Sequence, residues 1–135
     1  MSRQRDATMD RERYASGTEW ESTVGYSRAI RAGNEIHVSG TTATDDDGQV
    51  VAPGDPHAQT VRAIENVETA LSALDAALSD VVRTRLFVTD IDDWEAIGRA
   101  HGDAFADVRP ATTMVQVERL IDPEMLVEVE AVARD

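Results

Sequence analysis

The apolar positions of the chain fall into two periods, and each period marks out its elements. Val61, Ile64, Val67, Leu71, Leu74 and Leu78 recur every three or four residues, the spacing of one helix face. Asp55 stands where an N-cap is wanted and Pro56 at the first helical position. The pattern therefore predicts a helix over about 56–76 that buries this stripe against a sheet. A second helix is predicted after Asp92 or Asp93, with Trp94, Ile97, Ala100, His101, Ala104 and Phe105 on its inner side and Arg109-Pro110 ending it. Val81 to Thr89 is β-branched and apolar, Thr112 to Val117 reads as a strand, and Leu126 to Ala133 alternates strictly. Nearer the start, Tyr26 to Ile30 and Glu35 to Ser39 flank Ala32-Gly33-Asn34, which predicts a hairpin. Residues 41–54, rich in Thr, Asp and Gly, read as a loop with a short strand at Val50 and Val51.

Helices separated by strands in this order give an α+β fold, with a single sheet and two helices on one face. The sheet's other face then carries apolar residues that no helix covers, so a second copy of the chain is the expected cover. The first 20 residues open on a polar stretch of mixed charge without the apolar region of a secretory signal. They are predicted to form a flexible arm or an edge addition, leaving 21–135 as one domain.

Charge narrows the partners. The 135 residues carry a net charge of -13, every basic residue is arginine, and the acids are spread along the chain. That is a solvated acidic surface of the kind halophilic proteins use; an ordinary acidic cytosolic protein is the alternative. Either way, nucleic-acid phosphate is a disfavoured partner. No apolar run approaches the roughly 20 residues of a membrane span, so a cytoplasmic protein is expected. The absence of cysteine excludes thiol catalysis and thiolate metal sites. Asp45-Asp46-Asp47-Gly48 lacks the spaced aspartates and closing glutamate of a calcium loop. His37, His57 and His101 lack ligand spacing and read as structural or surface residues. Neither a metal nor a cofactor is expected.

Four separated segments carry a resemblance. Gly25-Tyr26-Ser27-Arg28 followed by Val38-Ser39-Gly40, the strand 81–88 followed by Thr89-Asp90-Ile91-Asp92-Asp93-Trp94, Arg109-Pro110-Ala111-Thr112-Thr113, and Val127 to Ala133 resemble, in order, motifs of the Rid/YjgF family. The resemblance implies a chorismate-mutase-like fold, a homotrimer whose sheets face inward, and a small-molecule cleft at each subunit interface. Members that have a site arginine hydrolyse 2-imino and enamino acids; others are reported as ribonucleases or as binders of small acids.

Carried over by motif, Glu128 is the carboxylate for the water, Tyr26 closes the pocket, and Ser39 and Gly40 lie beside the ligand. Glu128, Tyr26 and Gly40 each have a plainer reading: a solvated strand glutamate, a half-buried strand aromatic, a strand-end glycine. Glu130 shares a face with Glu128, and burying both together would raise one pKa. The family arginine falls on Thr112, with Met114 following on the same face, and the family's helix asparagine falls on Gly98. Imine hydrolysis needs a cation for the substrate carboxylate, a group that activates water, and a dry cleft. Arg85 and Arg28 are the candidates to supply the cation. Arg85, which shares a strand face with Arg83 and Phe87, reads equally as an interface ion pair with Glu128 or Glu130, and Arg119 carries the same ambiguity. Two functions follow: a hydrolase acting on a small labile imine, with Glu128, Thr112 and Tyr26 at its centre, or a non-catalytic ligand-binding trimer that kept the cleft without the chemistry.

Overall fold

The structure is a computed structural model, and it describes residues 2–6 and 10–135. The expectation of an arm at residues 1 and 7–9 lies outside the described residues. Seven strands form one sheet: β1 (Ser2–Asp6), β2 (Arg11–Ala15), β3 (Ala29–Ala32), β4 (Glu35–Thr41), β5 (Val81–Val88), β6 (Ala111–Gln116) and β7 (Val127–Arg134). Their spatial order is β1-β2-β3-β4-β7-β5-β6. Among the described residues only β5 and β6 pair in parallel, as expected of strands joined through a helix. The final strand is therefore central, held by β4 on one side and β5 on the other. Strands β1 and β2, from the stretch read as an arm or edge addition, extend the β3 edge.

Among the described residues three α-helices are present where two were expected: α1 (Glu19–Val24), α2 (Pro56–Ala73) and α3 (Trp94–Phe105). The short α1 is announced by Thr18 and Glu21, whose side chains bond at 2.7 Å, and by Gly25, which ends it in a left-handed conformation. Burial pushes the Glu21 carboxyl up, but hydrogen bonds from Ser16 and Thr18 outweigh it and hold the group below the usual glutamate range. Residues 26–28 lead from the end of α1 into the sheet, and β3 begins at Ala29 and not at Tyr26.

Asp55 caps α2 by accepting from the Ala58 amide at 3.0 Å. The helix stops at Ala73, short of the expected 76. Arg31 takes the Leu74 carbonyl with Nε at 3.0 Å and Nη2 at 2.7 Å, and Asp75 turns the chain through a left-handed φ of 64°. Ile64, Val67 and Leu71 bury as expected, but Val61 is 39% exposed. The buried face runs through Thr60, Ala63 and Ala70, and Val61 lies about 100° around the helix from Thr60. Trp94, expected inside, is 57% exposed. It is the first residue of α3, and a helical Cβ leans back toward the N-terminus, here past the packed turns.

Alternation on the central strand sorts the two faces of the sheet. Val127, Val129, Ala131 and Ala133 are buried in one cluster with Leu71 of α2 and Ile97 and Phe105 of α3. Glu128, Glu130 and Val132 point the other way, as do Arg85 and Phe87 on β5.

Candidate functional site

The β4–β7 ladder slips between Val38 and Thr41, and the slip brings Gly40 against Glu128. A Cβ on Gly40 would lie 2.7 Å from the Glu128 Cδ and 2.8 Å from its Oε1. Glycine is required there by space, since its φ is not in the left-handed region. The strap 26–28 that leaves α1 is tied to the same place. Arg28 Nη2 donates to the Gly40 carbonyl at 2.7 Å, the Ser39 amide donates to the Arg28 carbonyl at 3.0 Å, and Ser39 Oγ donates to the Ser27 carbonyl at 2.7 Å. The Arg28 guanidinium carbon stands 5.4 Å over the Tyr26 ring. Tyr26, Arg28, Ser39, Gly40 and Glu128 thus form one cluster on the face away from α2 and α3.

Burial pushes the Glu128 carboxyl above the usual glutamate range; the Arg28 charge pulls it back, and Glu130 adds a smaller push upward. Arg28 Nε is buried without a hydrogen-bond partner among the described residues. The cluster therefore holds a carboxyl with raised proton affinity and a guanidinium whose Nε has no partner among the described residues.

Arg85 is not part of it. Its Nε and Nη2 both reach Glu130 Oε1 at 2.7 Å, the ion-pair reading of the sequence. The pair borders a shallow cavity of about 220 Å³ lined also by His37, Ser39 and Arg83.

Thr112 and Met114 lie on the opposite face of the sheet from Glu128. Thr112 is in register with Thr84 and Ala131, whereas Glu128 is in register with Phe87, three residues along β5 from Thr84. Met114 packs against the helix-side core. Thr112 Oγ1 lies 2.8 Å from Thr84 Oγ1, and Thr84 Oγ1 lies 2.8 Å from His101 Nε2. Thr112 also donates to the Pro110 carbonyl at 3.1 Å. An open groove of about 400 Å³ borders Thr112 and is lined by His101, Phe105, Arg109 and Pro110. Gly98, on the same helix as His101, faces open space.

Sequence reasoning missed Thr84 and Arg109 and set His101 aside. Their meeting joins β5, β6 and α3, so no local spacing announces it. A buried threonine among apolar strand neighbours was the one available signal, because its hydroxyl needs a partner.

The profile of the Endoribonuclease L-PSP family matches residues 17–135. A crystal structure of a Mycobacterium tuberculosis member of the YjgF/YER057c/UK114 family is 47% identical, with a TM-score of 0.84, covering 93% of this chain and 99% of that one. An uncharacterized Streptomyces coelicolor protein is 39% identical over 90% of each chain. The 3-aminoacrylate deaminase RutC of Acinetobacter baylyi is 36% identical over 80% of this chain and 85% of its own.

Proposed function

The chain belongs to the Endoribonuclease L-PSP family, with its YjgF and RutC relatives, and on that premise we propose that it hydrolyses a small reactive imine or enamine. The observation that carries this reading is the Glu128 carboxyl, half-buried against a glycine that leaves room for nothing else and with its affinity for protons raised. Hydrolysis of an imine adds water to the C=N carbon. On a protonated imine, Glu128 takes a proton from that water as the C–O bond forms, returns it to the nitrogen, and takes the remaining hydroxyl proton as the C–N bond breaks, the carbonyl forms and ammonia leaves. A carboxyl shifted upward serves both steps better than an ordinary one. Arg28, with its free Nε, supplies the cation for a substrate carboxylate that Thr112 does not offer. Tyr26 and Gly40 wall the pocket.

Thr112 and Glu128 face opposite sides of one sheet, so they serve one ligand only where two copies of the chain meet. A homotrimer with a cleft at each interface is the assembly this reading requires. The net charge of -13 argues against RNA as the substrate, despite the family's description.

Imino acids generated in place by an amino-acid oxidase supply the test, with ammonia release as the readout. The protein is expected to accelerate release for at least one imine, and Glu128→Gln to reduce that by about 100-fold or more, the range of a general acid–base group. Failure to accelerate any imine across apolar, polar and acidic side chains would sink the reading. That outcome would favour a ligand-binding protein without turnover, which the neutral Thr112 hydroxyl already suits.

A further inference from the structure

The direction of every hydrogen bond in the Thr112 network is fixed by counting protons. Three contacts are made: Thr112 to the Pro110 carbonyl, Thr84 to Thr112, and His101 Nε2 to Thr84. Each needs one proton. The Pro110 carbonyl has none to give, so the Thr112 proton goes there. The Thr84–Thr112 contact then requires the Thr84 proton. Only His101 can supply the last, so its Nε2 carries hydrogen and donates to Thr84. The chain runs in one sense, His101 to Thr84 to Thr112 to Pro110.

Thr84 is fully buried and cannot turn to water for another partner. Burial lowers the His101 pKa, so the ring is neutral at ordinary pH and the hydrogen on Nε2 marks a tautomer, not a cation. The Phe105 ring packs against the His101 ring, tilted by 39° with 4.7 Å between ring centroids. Arg109 is the other ionisable residue lining the groove, held there by a left-handed backbone with φ of 52°.

The consequence lies at Thr112. Its own proton is committed and one lone pair is taken, which leaves a single acceptor position on a residue that lines the groove. We propose that this groove selects a small ligand that meets Thr112 with an N–H or O–H donor and Arg109 with an anionic group, a second one where the ligand also gives a carboxylate to Arg28, so that a carboxylate at Thr112 is rejected. The inference rests on the reading of a ligand cleft at this face. It reverses the polarity that a guanidinium would give the same position, because a guanidinium only donates. A molecule with an amide, ammonium or iminium N–H at one end and a carboxylate at the other has the required pattern.

Nitrogen NMR of the His101 ring tests the first half, and binding tests the second. The ring should show hydrogen on Nε2 in the free protein; hydrogen on Nδ1 alone would overturn the proton count. Succinamate and succinate are the binding probes, alike in size and differing in one donor. Succinamate should shift the Thr112 and Arg109 resonances and bind about tenfold tighter than succinate, the worth of one hydrogen bond set against an unpaired anion. Thr112→Val should erase that preference and Thr112→Ser keep it. Equal or tighter binding of succinate, or binding of neither, overturns the proposal. Ammonia release is not the readout: loss of turnover with the preference intact is a failure of the Glu128 mechanism alone, and turnover with the preference reversed is a failure of this inference alone.

Discussion

Replacing Gly40 with alanine moves the Glu128 carboxyl without touching its chemistry. The new Cβ would sit 2.7 Å from Cδ, 2.8 Å from Oε1 and 3.1 Å from Cγ, whereas ordinary contact begins near 3.4 Å. Those atoms belong to the far end of a side chain, so the carboxyl rotates away by about 1 Å while the strands stay in place. A displacement of that size at reacting atoms costs about 100-fold in rate, which is about 2.7 kcal/mol of transition-state stabilisation at 1.36 per decade. Stability should barely change. An alanine restricts the unfolded chain, which stabilises by about 0.4–1 kcal/mol, and an off-rotamer glutamate costs about 0.5–1.5 kcal/mol. The two nearly cancel, so Tm is expected within about 5 °C of the parent. The assay is ammonia release alongside thermal unfolding, on Gly40→Ala, Glu128→Gln and the double variant. Since both changes act through one carboxyl, the double variant should be no slower than Glu128→Gln alone. A folded Gly40→Ala protein with undiminished turnover would refute the reasoning, because the position of Glu128 would then be immaterial.

The raised Glu128 pKa carries a linkage consequence with a definite sign. Between the ordinary glutamate pKa and its folded value, the native state binds more protons than the unfolded chain, so stability falls as pH rises through that window. Glu128→Gln removes this loss; the variant should melt above the parent at neutral pH, with the gap closing as pH falls below the ordinary glutamate range. An unchanged or lower melting temperature at neutral pH would contradict the burial of that charge. Arg28→Met should raise KM more than it lowers kcat, by about tenfold or more for an acidic substrate, since a charge-assisted bond is lost. It should also shift the acidic limb of the pH profile upward, because Glu128 must be ionised to take the proton from water and the Arg28 charge holds its pKa down. Arg28→Lys keeps the charge and should keep that limb in place; a pH profile indifferent to both variants would remove Arg28 from the site.

Periodicity exposed most of the frame. The α2 stripe, its Asp55 cap and the alternation of β7 each follow from local chemistry, and each stands in the fold. What the sequence concealed arises where distant segments meet. The end of α2 depends on Arg31, 43 residues before the carbonyl it holds. Val61 and Trp94 were apolar residues near a stripe, and which side of a helix is buried is decided by the partner sheet. At the site, motif resemblance marked Tyr26, Ser39, Gly40 and Glu128, which do cluster. It could not show that Gly40 exists to admit Glu128, since that follows from a slip in the β4–β7 ladder. Nor could it separate Thr112 from Glu128. A parity of three residues on β5 decides that they face opposite ways.

The composite cleft is the claim on which the rest depends, and mixed assemblies test it most directly. Thr112→Trp fills the groove and Glu128→Gln disables the carboxyl, so each variant assembled alone is expected to be inactive. Co-expressed in equal amounts, the two should recover about a quarter of the parent's ammonia release, the fraction of interfaces that join an intact Glu128 from one copy to an intact Thr112 from another. A mixture as inactive as its components would contradict the account.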